Sequence, residues 1–232
     1  MKKTIQAAFP HTIPVLTGYL FVGLAFGFLL QSKGFDFLWA GFMSVTVFAG
    51  AMQFVTITLI SEPFSPLSVF LITLMVNARH IFYGFSMLEK FRGTGKYKPY
   101  LVFGLTDETF TLLYSVIPPA GVSPGGLFFF ITLLNHCYWI AGSVFGALLG
   151  AQLPFNTEGI EFVMVALFTA IAVEQFRLKH NRIPCMIGLA ASLSCLLVFG
   201  PERFLLPAMA VIVVVLTFAR KPLEKECPAP QS

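Results

Sequence analysis

Val76-Asn77-Ala78-Arg79-His80-Ile81-Phe82-Tyr83-Gly84 places an amide, a guanidinium and an imidazole inside an apolar run, Leu67 to Leu88. That run is long enough to cross a bilayer, which takes roughly 20 residues. Arg79 falls near its middle. A central arginine costs about 2.5–3.5 kcal/mol on insertion scales, so its side chain must face protein or a water-filled cavity. The next apolar run, Tyr100 to Pro119, carries Asp107 and Glu108, and a hydrophilic loop, Glu89 to Pro99, lies between the two. Counted from that loop at about 1.5 Å per helical residue, Arg79 and Asp107 share a depth of roughly 12–15 Å. Equal depth on consecutive segments predicts an ion pair. Adjacent residues on a helix point about 100° apart, so only one of Asp107 and Glu108 pairs directly with Arg79. The other is left to accept a substrate ammonium group or to titrate in proton coupling.

The rest of the chain fits the same setting. Of its 232 residues 56% are hydrophobic and 11% charged, against about 25% charged in a soluble domain. Eight apolar segments follow one another, at about 10–30, 37–60, 66–88, 100–119, 126–150, 159–174, 183–199 and 202–219. The fold class predicted is all-α, a polytopic helical membrane protein forming a single integral domain over 1–232. Strands of alternating polarity, the mark of a β-barrel, are absent. The net charge of +4 sits in loops and tail, so it speaks for topology and against nucleic-acid binding. Lys2 and Lys3 begin a run interrupted by Pro10, Pro14 and Gly18, unlike a cleavable signal peptide. Cys137, Cys185, Cys195 and Cys227 have no paired spacing, so neither disulfides nor a metal site is expected.

Basic clusters favour the cytoplasm. They are Lys2 and Lys3; Lys90, Arg92, Lys96 and Lys98; Arg177, Lys179 and Arg182; and Arg220, Lys221 and Lys225. Three apolar segments separate the first cluster from the second, and three more separate the second from the third. Either one segment of each trio is broken or re-entrant, or the charge rule fails here. The second, with Phe48-Ala49-Gly50-Ala51-Met52-Gln53-Phe54, and the short sixth are the expected ones. Gly23-Leu24-Ala25-Phe26-Gly27-Phe28-Leu29-Leu30 and Gly142-Ser143-Val144-Phe145-Gly146-Ala147-Leu148-Leu149 share the pattern G-x-x-F-G-x-L-L, 119 residues apart. This suggests two four-segment repeats, 10–119 and 126–219, of opposite orientation, as in many secondary transporters. The glycines themselves read first as surfaces for close helix packing.

Other polar residues stand out at depth. Gly50 and Gln53 lie where the second segment should break, and backbone freed there can bind substrate or ion. Asn77 and His80 share a helix face; with Arg79 they read either as an internal tie or as part of a site for an anionic group such as a carboxylate. Asn135, His136 and Trp139 form a polar stretch in the fifth segment, with Trp139 about 18 Å deep when counted from Gly126. That depth suits a cavity wall, and His136 is a candidate proton relay.

Pro14-Val15-Leu16-Thr17-Gly18-Tyr19, the Phe48–Phe54 stretch, Val76-Asn77-Ala78-Arg79-His80 with Tyr83-Gly84, and Leu105-Thr106-Asp107-Glu108-Thr109-Phe110 together resemble the AzlC family. The resemblance covers about 10–215. It implies the large subunit of a branched-chain amino acid exporter of the bacterial inner membrane, working with a small AzlD-like membrane subunit. Valine, leucine and isoleucine are the implied cargo, with methionine as a further candidate. The motif positions carried over as functional are Gly50, Gln53, Asn77, Arg79, His80, Asp107 and Glu108. Export driven by the proton gradient is the expected activity, without a cofactor, since no G-x-x-x-x-G-K-[ST] loop for ATP occurs. Two other classes of function fit less well. A non-transporting scaffold leaves the buried charges unexplained. A metal-dependent intramembrane enzyme lacks H-E-x-x-H or a comparable ligand pair.

Overall fold

The computed structural model describes residues 2–60, 65–152, 182–200 and 204–226, with 169, 172, 173, 176 and 177. Regular structure among the described residues is helical throughout. The chain divides into two units, Met1–Glu161 and Phe162–Ser232.

The first unit is framed by two long helices, α1 (Lys2–Ser32) and α8 (Pro124–Gln152). At 31 and 29 residues each is about 45 Å long, ample for a hydrocarbon core of about 30 Å. Between them come α2 (Phe37–Thr46), α3 (Gly50–Leu59), α4 (Pro66–Asn77), α5 (Arg79–Met87), a 3₁₀ turn (Gly95–Tyr97), α6 (Lys98–Phe103) and α7 (Asp107–Ser115). The repeated glycine motif brings α1 and α8 into backbone contact. A Cβ on Gly142 would stand 2.8 Å from the Tyr19 carbonyl oxygen; on Gly27 it would overlap the Ser143 backbone, and on Gly146 that of Leu24. In lipid such close approach is what drives helix association.

The pairing along this contact fixes direction. Thr4 meets Gly126, Thr12 bonds Tyr138, Gly23 meets Gly142 and Gln31 meets Gly150. Both numbers rise together, so α1 and α8 run parallel. This corrects the expectation of opposite orientation for the first and fifth segments.

The second segment is a helical hairpin, broken where its small residues predict. The helix stops after Thr46, Phe48 turns at φ 41°, and α3 doubles back so that Gln53 Nε2 reaches Ser44 Oγ at 3.3 Å. Asp36 starts α2, its carboxylate accepting from the N–H groups of Leu38 and Trp39.

The third segment is bent by 44° between α4 and α5, which together are long and apolar enough to cross a membrane. At the bend Ala78 and Ile81 donate to carbonyls three residues back, and His80 Nδ1 takes up the Asn77 carbonyl at 3.1 Å.

The fourth segment is a second hairpin. Tyr97 packs on Phe129 and Tyr100 bonds His136, so α6 climbs alongside α8. The chain then breaks at Gly104–Thr106 and α7 descends. Lys90 donates to the carbonyls of Tyr114 and Val116 at 2.6 and 3.2 Å, tying the end of α7 to the loop from which α6 began. Partial burial lowers the Lys90 ammonium below its ordinary pKa. A Cβ on Gly125 would touch Thr94. Ala8, Met87, Phe91, Leu113, Val116 and Phe128 share one core cluster at this end.

The N-terminus, the basic loop and the start of α8 thus lie together, as their lysines require. In the second trio the fourth segment folds back on itself, which its sequence did not lead one to expect. The sixth, expected to be broken or re-entrant, lies outside the described residues except for 169, 172 and 173, and the tail after Glu226 lies outside them altogether.

Phe21, Leu38, Phe42, Leu67, Phe70 and Phe85 are each more than half exposed, a surface made for lipid. In the second unit α9 (Arg182–Phe199) and α10 (Leu205–Glu226) pack on each other, and α9 is long and apolar enough to cross a membrane.

Two measurements check this layout. In a background free of native cysteines, Lys96→Cys and Ser123→Cys should both react with an impermeant thiol reagent only from the cytoplasmic side. External labelling at 123 alone would make the fourth segment a full crossing. Gly27→Val should cut the folded yield sharply, while Gly84→Ala, with nothing within 4 Å of the new methyl, should leave it near wild type.

Candidate functional site

The two hairpins enter from opposite ends of the unit and their tips meet. Phe48 lies 6.4 Å from Phe103 between ring centroids, and a Cβ on Gly104 would stand 3.6 Å from the Phe48 ring. Phe48 also stacks on His136 at 4.2 Å. Both α3 and α7 begin at this level, so two helix N-termini, each with unpaired N–H groups and partial positive charge, converge inside the unit. They are met differently. The N-cap of α7 is Thr106, whose hydroxyl accepts from Thr109 N, and two acids fill its first turn. The N-cap of α3 is Ala49, with no side chain to offer.

Asp107 and Glu108 diverge as their spacing demands. Asp107 Oδ2 pairs with Arg79 Nη1 at 2.9 Å, and its other oxygen accepts from the Tyr83 hydroxyl at 2.6 Å. Tyr83 in turn stacks on Phe110. The Arg79 and Asp107 side chains remain 45% and 38% exposed within the chain. Glu108 points toward α1, where Oε2 accepts from the buried Tyr19 hydroxyl at 2.8 Å. That phenol also lies 2.6 Å from Thr106 Oγ1. Among the described residues the only salt bridge is Arg79–Asp107, so Glu108 is held by a hydroxyl and not by a cation.

Behind this lies a fully buried polar layer on α8. Asn135 Nδ2 donates to Thr109 Oγ1 at 3.1 Å, while its Oδ1 has no partner. His136 Nε2 lies 3.0 Å from the Ser44 carbonyl and Nδ1 2.9 Å from the Tyr100 hydroxyl. A carbonyl only accepts, so Nε2 carries a proton, and in the neutral ring Nδ1 accepts from Tyr100. Trp139 Nε1 donates to Gln53 Oε1 at 2.8 Å, and its ring packs where a Cβ of Gly50 would lie. Gly50 thus makes room for the indole that locks the first hairpin.

Of the residues singled out from sequence, Gly50, Gln53, His136 and Trp139 meet around the first tip. Arg79, Asp107, Glu108 and Asn135 meet around the second. Asn77 and His80 do not join them. Asn77 Nδ2 bonds the Thr73 carbonyl of its own helix, and His80 serves the bend. His80 also borders an apolar cavity of about 280 Å³ with Ile81, Gly84, Phe85, Lys98 and Val102.

Sequence reading missed Tyr19, Ser44, Tyr83, Tyr100, Thr106 and Thr109. Hydroxyls are common in membrane helices, so singly they carried little signal. Thr106 was legible, because Thr followed by Asp-Glu is a helix start in mid-segment.

The pair is testable by a double-mutant cycle. Removing one member leaves the charge of the other uncompensated, whereas removing both is milder. Arg79→Ala and Asp107→Ala should each lower the folded yield in membranes, and the double variant should recover much of it. Losses that simply add would show that the pair contributes no coupling.

The sequence matches the AzlC protein family over residues 14–153. It is 48% identical to the branched-chain amino acid transport protein AzlC of Bacillus subtilis, over 95% of this chain and 87% of that one. A membrane protein of Helicobacter pylori is 46% identical over 96% of this chain and 97% of its own. The inner membrane protein YgaZ of Escherichia coli is 28% identical over 77% and 76%. No solved structure matches. By the extent of these matches, across both hairpins and the helices that frame them, the chain belongs to the AzlC family of membrane transport proteins.

Proposed function

We propose that this chain is the large subunit of a secondary exporter of branched-chain amino acids in the bacterial inner membrane, driven by inward proton flow and working with a small AzlD-like subunit. The observation that carries the reading is the meeting of two oppositely entering hairpins at a buried polar layer. Broken helices converging at mid-depth place free helix ends and side chains where a polar solute can be held. The Bacillus relative at 48% identity bears the transport of branched-chain amino acids in its name.

The charges support an exchanger. Arg79 and Asp107 cancel each other, which leaves Glu108 as the unbalanced charge of the cluster. A proton or the ammonium group of an amino acid neutralises it, one at a time. Alternating occupancy of one carboxylate exchanges proton for cargo. On this reading the cargo carboxylate meets Arg79, and Gly50, Gln53, Asn135, His136 and Trp139 shape the wall of the passage. Asn77 and His80 act through the bend that presents Arg79.

Counterflow of radiolabelled valine, leucine, isoleucine and methionine in proteoliposomes, with and without the small subunit, tests cargo and partner. Efflux of loaded valine should accelerate when the outside is made acidic. Glu108→Gln should keep its folded yield and flatten that dependence. Efflux at full rate by this chain alone would remove the partner from the proposal, and efflux indifferent to the gradient would remove the proton.

A further inference from the structure

We propose that Tyr19, Thr106, Thr109 and Asn135 form a relay that carries the protonation state of Glu108 to the buried Asn135 amide and sets how firmly the α6–α7 hairpin is tied to α1. The proposal rests on the proton coupling argued above. It names residues that this coupling does not require.

The geometry is a continuous chain. Glu108 Oε2 and Tyr19 Oη are 2.8 Å apart, Tyr19 Oη and Thr106 Oγ1 2.6 Å, and Thr106 Oγ1 and Thr109 Oγ1 3.0 Å. Asn135 Nδ2 closes it, 3.1 Å from Thr109. Each hydroxyl has one proton and a freely rotating O–H. With Glu108 ionised, three oxygen–oxygen contacts share three hydroxyl protons, and one order fills them all. Tyr19 donates to the carboxylate, Thr106 to Tyr19, and Thr109 to Thr106 once its hydroxyl turns from the orientation in the structure, where Thr106 is the donor, while the Asn135 amide donates to Thr109. With Glu108 protonated the order reverses: Glu108 donates to Tyr19, Tyr19 to Thr106, and Thr106 to Thr109. Only the Thr109 hydroxyl and the Asn135 amide turn about their side-chain bonds. Each hydroxyl keeps its own proton and only the hydrogen bonds turn over.

The reversal frees the Thr109 proton, and the structure holds an acceptor for it. Asn135 Oδ1 is fully buried and has no partner; rotating the amide brings it to Thr109. An amide offers a donor and an acceptor, so it ends the chain in either order. The helix cap alone does not explain the chain, because Thr109 N already satisfies Thr106 without Tyr19. The charged groups acting on Glu108 are Asp107 on its own helix and Arg79 on α5, with Tyr19 from α1 and Tyr83 beyond Asp107. A phenol bonded to a carboxylate is roughly twice as strong as one bonded to a neutral oxygen, so protonation of Glu108 loosens the tie between α1 and the hairpin.

The test uses the full chain with its small subunit in proteoliposomes, comparing valine transport driven by an imposed pH gradient with valine counterflow at equal pH. In Tyr19→Phe and Thr106→Val the ratio of driven transport to counterflow should fall about tenfold, the scale of one hydrogen bond to a charged group. Thr106→Ser, which keeps the hydroxyl, should restore it. An unchanged ratio in Tyr19→Phe, or equal loss of both activities in a folded variant, would overturn the relay. If Tyr19→Phe does not accumulate, the contrast between Thr106→Val and Thr106→Ser decides in the same way. A wild type whose transport ignores the gradient would instead bring down the proton-driven reading itself.

Discussion

Two parallel helices in backbone contact are the constraint on which the first unit is built. Lipid tails supply no hydrophobic drive between helices, so close packing has to hold α1 to α8. Gly23, Gly27, Gly142 and Gly146 let the two backbones approach to distances that a methyl group would forbid. The two hairpins are too short to cross and lean on this frame. Breaking a helix inside a bilayer frees backbone groups that water cannot reach, and side chains from the frame take some of them. His136 of α8 serves the Ser44 carbonyl at the end of α2. Thr106 caps α7 and is itself held by Tyr19 of α1. Frame and tips thus share one set of bonds, and a change at either reaches the other.

The sequence disclosed segments more readily than directions. Apolar length and charge in the loops were enough for a polytopic helical protein, and equal depth was enough for the Arg79–Asp107 pair. Small residues around Gly50 pointed to the first break, which the structure places at Phe48. The second hairpin was hidden because Tyr100 to Pro119 has the length and hydropathy of an ordinary span. Its signal lay in Gly104-Leu105-Thr106-Asp107-Glu108, a stop followed by a capped, acidic start. Overlooking it turned the fifth segment the wrong way round. The glycine motif was read correctly as a packing face, but a shared motif says which helices match and not whether they run parallel.

Asn77 and His80 show a different limit. A polar residue at depth reads as a candidate ligand, yet a bend in a helix consumes polar groups of its own. The bend at Ala78 shifts donors to carbonyls three residues back, and His80 takes up the Asn77 carbonyl. The motif around Arg79 is therefore two things at once. Its arginine reaches across to α7, while its neighbours keep the helix intact where it turns.

The position of Glu108 is where these constraints meet. A carboxylate inside a membrane span is costly when charged unless something meets the charge. Two features of the fold offset that cost. The N-terminus of α7 presents partial positive charge to its first turn, and the Tyr19 hydroxyl donates directly to the carboxylate. Neither is a full cation, and the nearby guanidinium is already committed to Asp107. An ion pair would have fixed Glu108 in its charged form through the whole cycle. A helix end and a phenol hold it more lightly, so that either a proton or an arriving ammonium group can take over the charge. Because the phenol belongs to the frame and the carboxylate to the hairpin, a change of charge at this one group alters the bond between the part that stays and the part that lines the passage.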